Sequence, residues 1–253
     1  MDGIQQLLSI MRRLRDPVSG CAWDRAQTFA TIAPYTIEEA YEVSDAIERG
    51  DVRDIKQELG DLLLQVIFHS QIAEEAGLFD FNEVATGIAE KMKRRHPHIF
   101  GQAEGVMDRA RWEEIKAAKR RQNGATSAMD DVARALPALL RAEKLQHRAA
   151  RDGFDWPDTG GSWDKLREEL DEFAQAERGD DENHLVEEAG DVLFAVVNVL
   201  RARGINAEQA LKAASDKFAR RYRLMEELAD GSFADLSLAQ QEALWARAKK
   251  HLT

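Results

Sequence analysis

Ile37-Glu38-Glu39-Ala40-Tyr41-Glu42, followed after fifteen residues by Glu58-Leu59-Gly60-Asp61-Leu62-Leu63, decides how this chain is read. The pattern is Glu-Glu-x-x-Glu, a gap, then Glu-x-x-Asp. It recurs 130 positions later in Glu168-Glu169-Leu170-Asp171-Glu172 and Glu188-Ala189-Gly190-Asp191-Val192-Leu193. With 46 acidic residues in 253, a single five-point match would arise in about one such chain in twenty. A second match at identical internal spacing points to duplication of an acidic module. Residues three or four apart share a helix face, so Glu39 pairs with Glu42 and Glu58 with Asp61. Gly50-Asp51, between the two pairs, permits a chain reversal that turns them toward each other.

Working outward, apolar and acidic positions recur with helical spacing over Thr36–Glu48, Asp54–Glu75 and Asn82–Arg95, after a shorter helix at Gly3–Leu14. The second copy follows the same order, with Asp164–Glu177, His184–Arg203 and Asn206–Leu228. No run of β alternation appears, and five prolines with 7% aromatics fit an all-α chain of tandem helical bundles. The expected organisation is a first helical domain over 1–121, a linker over 122–131 around Asn123-Gly124, and a second domain over 132–253.

Composition narrows the function classes. The net charge of -11 disfavours a general nucleic-acid coat, which needs cations against phosphates. One cysteine, Cys21, excludes an intrachain disulfide framework and fits a reducing compartment. No apolar run has the length of a membrane span or a signal-peptide core, so a cytoplasmic protein with no membrane partner is expected.

Four carboxylates gathered without a cation would repel one another, and at least one would keep its proton. A hard divalent cation removes that penalty, and all-oxygen ligation suits Mg²⁺, with Mn²⁺ as a substitute. Glu39, Glu42, Glu58 and Asp61, and the repeated Glu169, Glu172, Glu188 and Asp191, are therefore candidate metal ligands. A lone Glu-Glu-x-x-Glu is ordinarily a solvated helix face. Here the acidic pairs abut apolar runs, and Gly60 and Gly190 sit at mid-helix, where glycine is costly. A di-iron carboxylate site would need Glu-x-x-His on two helices, which neither copy has.

Each third helix carries a basic cluster on its C-terminal half: Lys91, Arg94 and Arg95, then Lys217, Arg220 and Arg221. Such residues also complement a helix dipole. Beyond each cluster comes Trp-x-x-x-Lys, as Trp112 with Lys116 and Trp245 with Lys249. An indole and an ammonium on one helical face can serve a purine and a phosphate, although either tryptophan can equally be a core anchor. Metal, cations and an aromatic shelf together suggest a nucleoside triphosphate. No Walker-type glycine loop is present, which leaves metal-assisted attack of water on phosphorus.

These residues resemble the MazG nucleoside triphosphate pyrophosphohydrolases. The likeness extends through Cys21-Ala-Trp-Asp-Arg-Ala-Gln-Thr, Ala33-Pro-Tyr-Thr-Ile-Glu-Glu-Ala-Tyr-Glu-Val, Arg94-Arg-His-Pro-His-Ile-Phe, Gly153-Phe-Asp-Trp and Lys217-Phe-Ala-Arg-Arg. It covers nearly the whole chain and implies an all-α homodimer that uses Mg²⁺ to cleave an NTP to NMP and pyrophosphate. By the same resemblance Glu169, Glu172, Glu188 and Asp191 would be catalytic. Lys165, Glu168, Glu187, Lys217, Arg220, Arg221, Trp245 and Lys249 would face the nucleotide, and the second copy would carry the main activity. Two departures stand out: Ala22 replaces a usual proline, and His184 stands where a lysine is common. Two other classes stay open on the residues alone, a metal-dependent nucleotide sensor without turnover and a helical interaction protein.

Overall fold

Thr28 and Thr31 start the first acidic helix. Each side chain accepts from the other residue's backbone N–H, closing a capping box, which satisfies two donors that a helix end otherwise leaves bare. In the computed structural model, which describes residues 2–101, 124 and 126–252, this helix runs Phe29–Arg49. It begins seven residues before the expected Thr36 and carries Pro34 inside it. The proline reads as a breaker in sequence, but the capping box upstream fixes the true start.

The chain divides into two compact units, Met1–Ile115 and Lys116–Thr253. The first contains α1 (Gly3–Leu14), α2 (Ala22–Ala26), α3 (Phe29–Arg49), α4 (Val52–Glu75), α5 (Phe81–Arg95) and α6 (Pro97–Phe100). Gly50, at φ 70°, ends α3, and Asp51 caps α4 by accepting from Arg53 and Asp54. The two longest helices of this unit among the described residues therefore fold back on one another across a two-residue turn. Met11, Ile32, Ile67, Phe68 and Ile72 form the core that joins α1, α3 and α4.

The second unit contains α7 (Ala138–Arg151), α8 (Thr159–Ala176), α9 (Glu182–Ala202), α10 (Ala207–Leu228) and α11 (Leu238–His251), with a 3₁₀ turn at Phe233–Asp235. Asp158, Asp181 and Asn206 cap α8, α9 and α10. Leu166, Ala195 and Val199 pack α8 on α9. A separate cluster of Met225, Leu244 and Ala248 joins α10 to α11. Helix α8 starts five residues before the expected Asp164, because Asp158 caps it across Gly160-Gly161.

Within the expected linker, residues 126–131 are bonded to their surroundings. Asp130 Oδ2 accepts from the backbone N–H groups of Thr126 and Ser127 at 2.8 Å, and Arg148 on α7 donates to the carbonyls of Ala128 and Asp130. Among the described residues there is no strand, and no helix is long and apolar enough to cross a membrane.

Candidate metal and nucleotide site

Lys165, Glu168, Glu169 and Glu172 occupy one face of α8 by their i, i+3, i+4, i+7 spacing. Glu188 and Asp191 come from α9, brought opposite by the turn that Asp181 caps. Glu169, Glu172 and Glu188 each offer a carboxylate oxygen within 4.8 Å of the others. Glu169 is buried at 7% exposure, and Lys165 Nζ lies 2.9 Å from its Oε1 and 2.7 Å from Glu168 Oε1. Asp191 stands outside that trio but lines the adjoining cavity with Lys165 and Glu169. Glu187, on α9, is exposed.

The donor set fits a divalent cation on one specific ground. Glu188 Oε2 is buried and has no hydrogen-bond partner, while Oε1 lies 3.5 Å from His184 Nδ1. An orphaned carboxylate oxygen inside an acidic cluster is costly, and a bound cation would satisfy it. Burial holds the Glu172 carboxyl above its ordinary 4.5, with Glu169, Glu188 and Glu168 adding to the rise and Lys165 opposing it.

The first unit repeats the trio with a different membership. Glu39, Glu58 and Asp61 bring oxygens within 4.8 Å of each other, and Glu42 lies close enough to Glu58 to raise its carboxyl. Burial raises the Glu39 carboxyl above 4.5, with Glu42, Asp61, Glu58 and Glu38 contributing. Glu58 is raised in the same way, first by burial and then by Glu42, Asp61 and Asp54. Where the second unit has Lys165, the first has Tyr35. No lysine therefore sits in that register to offset the repulsion.

The basic residues come from the two helices that follow α9. Lys217, Arg220 and Arg221 lie on α10, and Trp245 and Lys249 on α11. Trp245 packs beside Met225 and Leu244, with the Phe218 ring at 5.4 Å and the Arg221 guanidinium at 5.6 Å from its ring centroid. None of these five residues lines the cavity beside the carboxylates. Trp112 and Lys116 lie outside the described residues.

Sequence reasoning missed the side chains that build that cavity. Arg201, near the end of α9, donates to Asp155 at 2.7 and 3.0 Å and to Asn198 Oδ1 at 2.6 and 3.1 Å. Gln146, on α7, donates to the Phe194 carbonyl at 2.8 Å. The Gly153-Phe-Asp-Trp stretch was visible as a motif, but its partner Arg201 is 46 residues away, beyond any local pattern. The first unit braces a similar junction with the charges exchanged. There Arg15, at the end of α1, meets Glu75, at the end of α4, at 2.6 Å.

A profile of the MazG nucleotide pyrophosphohydrolase domain matches residues 27–100 and 163–225. The nucleoside triphosphate pyrophosphohydrolase of Escherichia coli K12 is 48% identical over 258 residues, covering 99% of this chain and 98% of that protein. The nucleoside triphosphate pyrophosphohydrolase/pyrophosphatase MazG of Thermotoga maritima is 41% identical over 248 residues, covering 97% and 95%. An uncharacterized Bacillus subtilis protein, YabN, is 44% identical over 250 residues, which span 96% of this chain but 50% of its own length. With both acidic helix pairs inside the matched residues and relatives aligned end to end, this chain belongs to the MazG nucleotide pyrophosphohydrolase family.

Proposed function

We propose that this protein hydrolyses nucleoside triphosphates to nucleoside monophosphate and pyrophosphate, with the second unit as the main site and Mg²⁺ as the cation. The observation that carries the reading is the buried, unpartnered Glu188 Oε2 within a carboxylate trio that also contains a lysine-tethered Glu169. Relatives of full matching length bear the corresponding name.

Glu169, Glu172, Glu188 and Asp191 would hold the cation, which when bound polarises phosphate oxygens. Lys165 stands where it can meet phosphate without leaving Glu168 and Glu169. One carboxylate of the cluster orients the attacking water. Lys217, Arg220, Arg221 and Lys249 supply positive charge to the nucleotide, with Glu168 and Glu187 on the near side. Trp245 braces the Arg221 guanidinium through its ring face.

The same proposal includes a homodimer. On α9, Val186, Leu193 and Phe194 are 72%, 58% and 44% exposed. Between them a Cβ added at Gly190 would meet nothing within 4 Å. An apolar groove lined by Gly190, Leu193, Val197, Leu139, Ala142 and Leu145 crosses this face. Exposed apolar surface of this kind is stabilised by association, and a second copy of the chain supplies a matching face.

Two variants of the full chain test the assignment. Glu188→Gln is expected to lower NTP turnover by about a hundredfold or more, with Glu58→Gln close to wild type. The reverse order would move the active site to the first unit, and full activity in both would reject the metal-site reading.

A further inference from the structure

Residues 122–131 read as a linker in sequence, yet one of them forms a wall of the cavity beside the carboxylates. That cavity, of about 720 Å³, is bounded mainly by α7, the 153–156 loop, α8 and α9, with Lys165, Glu169 and Asp191 in its lining. Among the described residues, Met129 is the one lining residue that precedes α7. It is 42% exposed, so its unbranched thioether side chain keeps apolar surface open to an occupant.

Residues 126–131 form neither helix nor strand, and their own polar groups close the turn. Asp130 Oδ2 accepts from the backbone N–H groups of Thr126 and Ser127, and Ser127 Oγ accepts from the N–H of Met129 at 3.1 Å. Such local bonds fix the shape of a turn but not its place on the protein. The place comes from Arg148 on α7. Its guanidinium donates to the backbone carbonyls of Ala128, Asp130 and Asp131, so it grips the chain on both sides of Met129. Asp131 has φ 63°, a left-handed conformation that a residue other than glycine seldom holds without outside contacts. Buried Val132 follows it. A planar guanidinium fork can span successive carbonyls, which the point charge of a lysine cannot. Arg148 itself does not line the cavity.

We propose that Arg148 is a positioning residue for the hydrolysis: by fixing the backbone around Met129, it holds that side chain against the part of the substrate that lies beyond the phosphates. This role deepens the pyrophosphohydrolase reading and rests on it. Covering the apolar Met129 surface strengthens binding and leaves the reacting phosphorus untouched. The wall therefore acts on KM and not on kcat.

Steady-state hydrolysis of ATP by the full chain tests this, with inorganic tripolyphosphate as an inhibitor that has no organic part. Met129→Ser is expected to raise KM about fivefold with kcat within about twofold of wild type. Met129→Leu, which keeps the apolar bulk, should retain the wild-type KM. Arg148→Met should raise KM about fivefold as well, and the double variant Arg148→Met/Met129→Ser no further, because both changes remove the same wall. The inhibition constant of tripolyphosphate should stay within about twofold of wild type throughout. A KM for Met129→Ser within about twofold of wild type overturns the proposal, whether or not the Arg148 variant folds. A double variant whose KM shows the product of the two single effects overturns it too, since Arg148 would then act elsewhere. So does an equal loss of tripolyphosphate affinity, which would mark general damage to the unit. If wild-type protein turned over no NTP, the hydrolase reading would fail. Equilibrium Kd values for ATP and tripolyphosphate in the same variants would then decide the role of Met129 by the same criteria.

Discussion

Removing the Asp155 carboxylate should expose how much the second unit depends on one buried guanidinium. Arg201 is 7% exposed at the side chain and Asp155 32%, with contacts of 2.7 and 3.0 Å between them. Breaking a fully buried ion pair costs about 3–5 kcal/mol, because the remaining charge loses its partner. Here the acid is partly wet and Arg201 keeps Asn198, so Asp155→Ala is expected to cost about 2–3 kcal/mol. Arg201→Met alone removes the charge rather than orphaning it. The double variant should therefore be more stable than the sum of the single losses by about 1–2 kcal/mol. Arg201 holds the Asp155 carboxyl below its ordinary 3.8, chiefly through its hydrogen bonds. A depressed folded-state pKa contributes stability that is present above 3.8 and is lost as pH falls through the folded value. Wild type and Asp155→Ala should accordingly converge in stability on acidification. Urea unfolding with peptide-resolved hydrogen exchange on α9 would assign the loss to the second unit. A loss under about 0.5 kcal/mol, strict additivity in the double variant, or a gap that persists in acid would refute the reasoning.

Three further outcomes are expected. Lys165→Met should raise KM for NTP about tenfold without weakening Mn²⁺ binding by calorimetry, since it removes a cation from an acidic site. Weaker Mn²⁺ binding would mean that Lys165 mainly preserves the cluster's shape. Leu193→Glu, on the exposed face of α9, should shift the protein toward monomer in sedimentation velocity, whereas an unchanged sedimentation coefficient would place any interface elsewhere. Asp181→Ala removes the side chain that accepts from Asn183 and His184 and should destabilise the second unit by about 1 kcal/mol. An unchanged urea midpoint would count against that cap.

The helix pairs were legible because their determinants are local. Acidic residues at i, i+3 and i+4 beside an apolar stripe, with Gly-Asp reversals between, specify two helices that face each other. Helix starts were harder. Pro34 and Gly160-Gly161 resemble breakers, while the caps that override them, Thr28 and Asp158, lie upstream of them. The cavity residues were not legible. Gln146, Asn198 and Arg201 are unremarkable polar positions on their own helices, and only tertiary packing brings Arg201 to Asp155. The repeat also hid a difference between its copies. Spacing preserves all four carboxylates in each unit, but Tyr35 stands where Lys165 tethers Glu168 and Glu169. The α10 and α11 basic residues form a group of their own, with Arg221 against Trp245. None of them lines the cavity beside the carboxylates.

The most direct test follows ATP by ³¹P NMR during incubation with the full chain and Mg²⁺, with and without EDTA. Signals of AMP and pyrophosphate are expected in equal amounts, with no reaction once the cation is chelated. ADP with orthophosphate, or turnover that persists in EDTA, would contradict it.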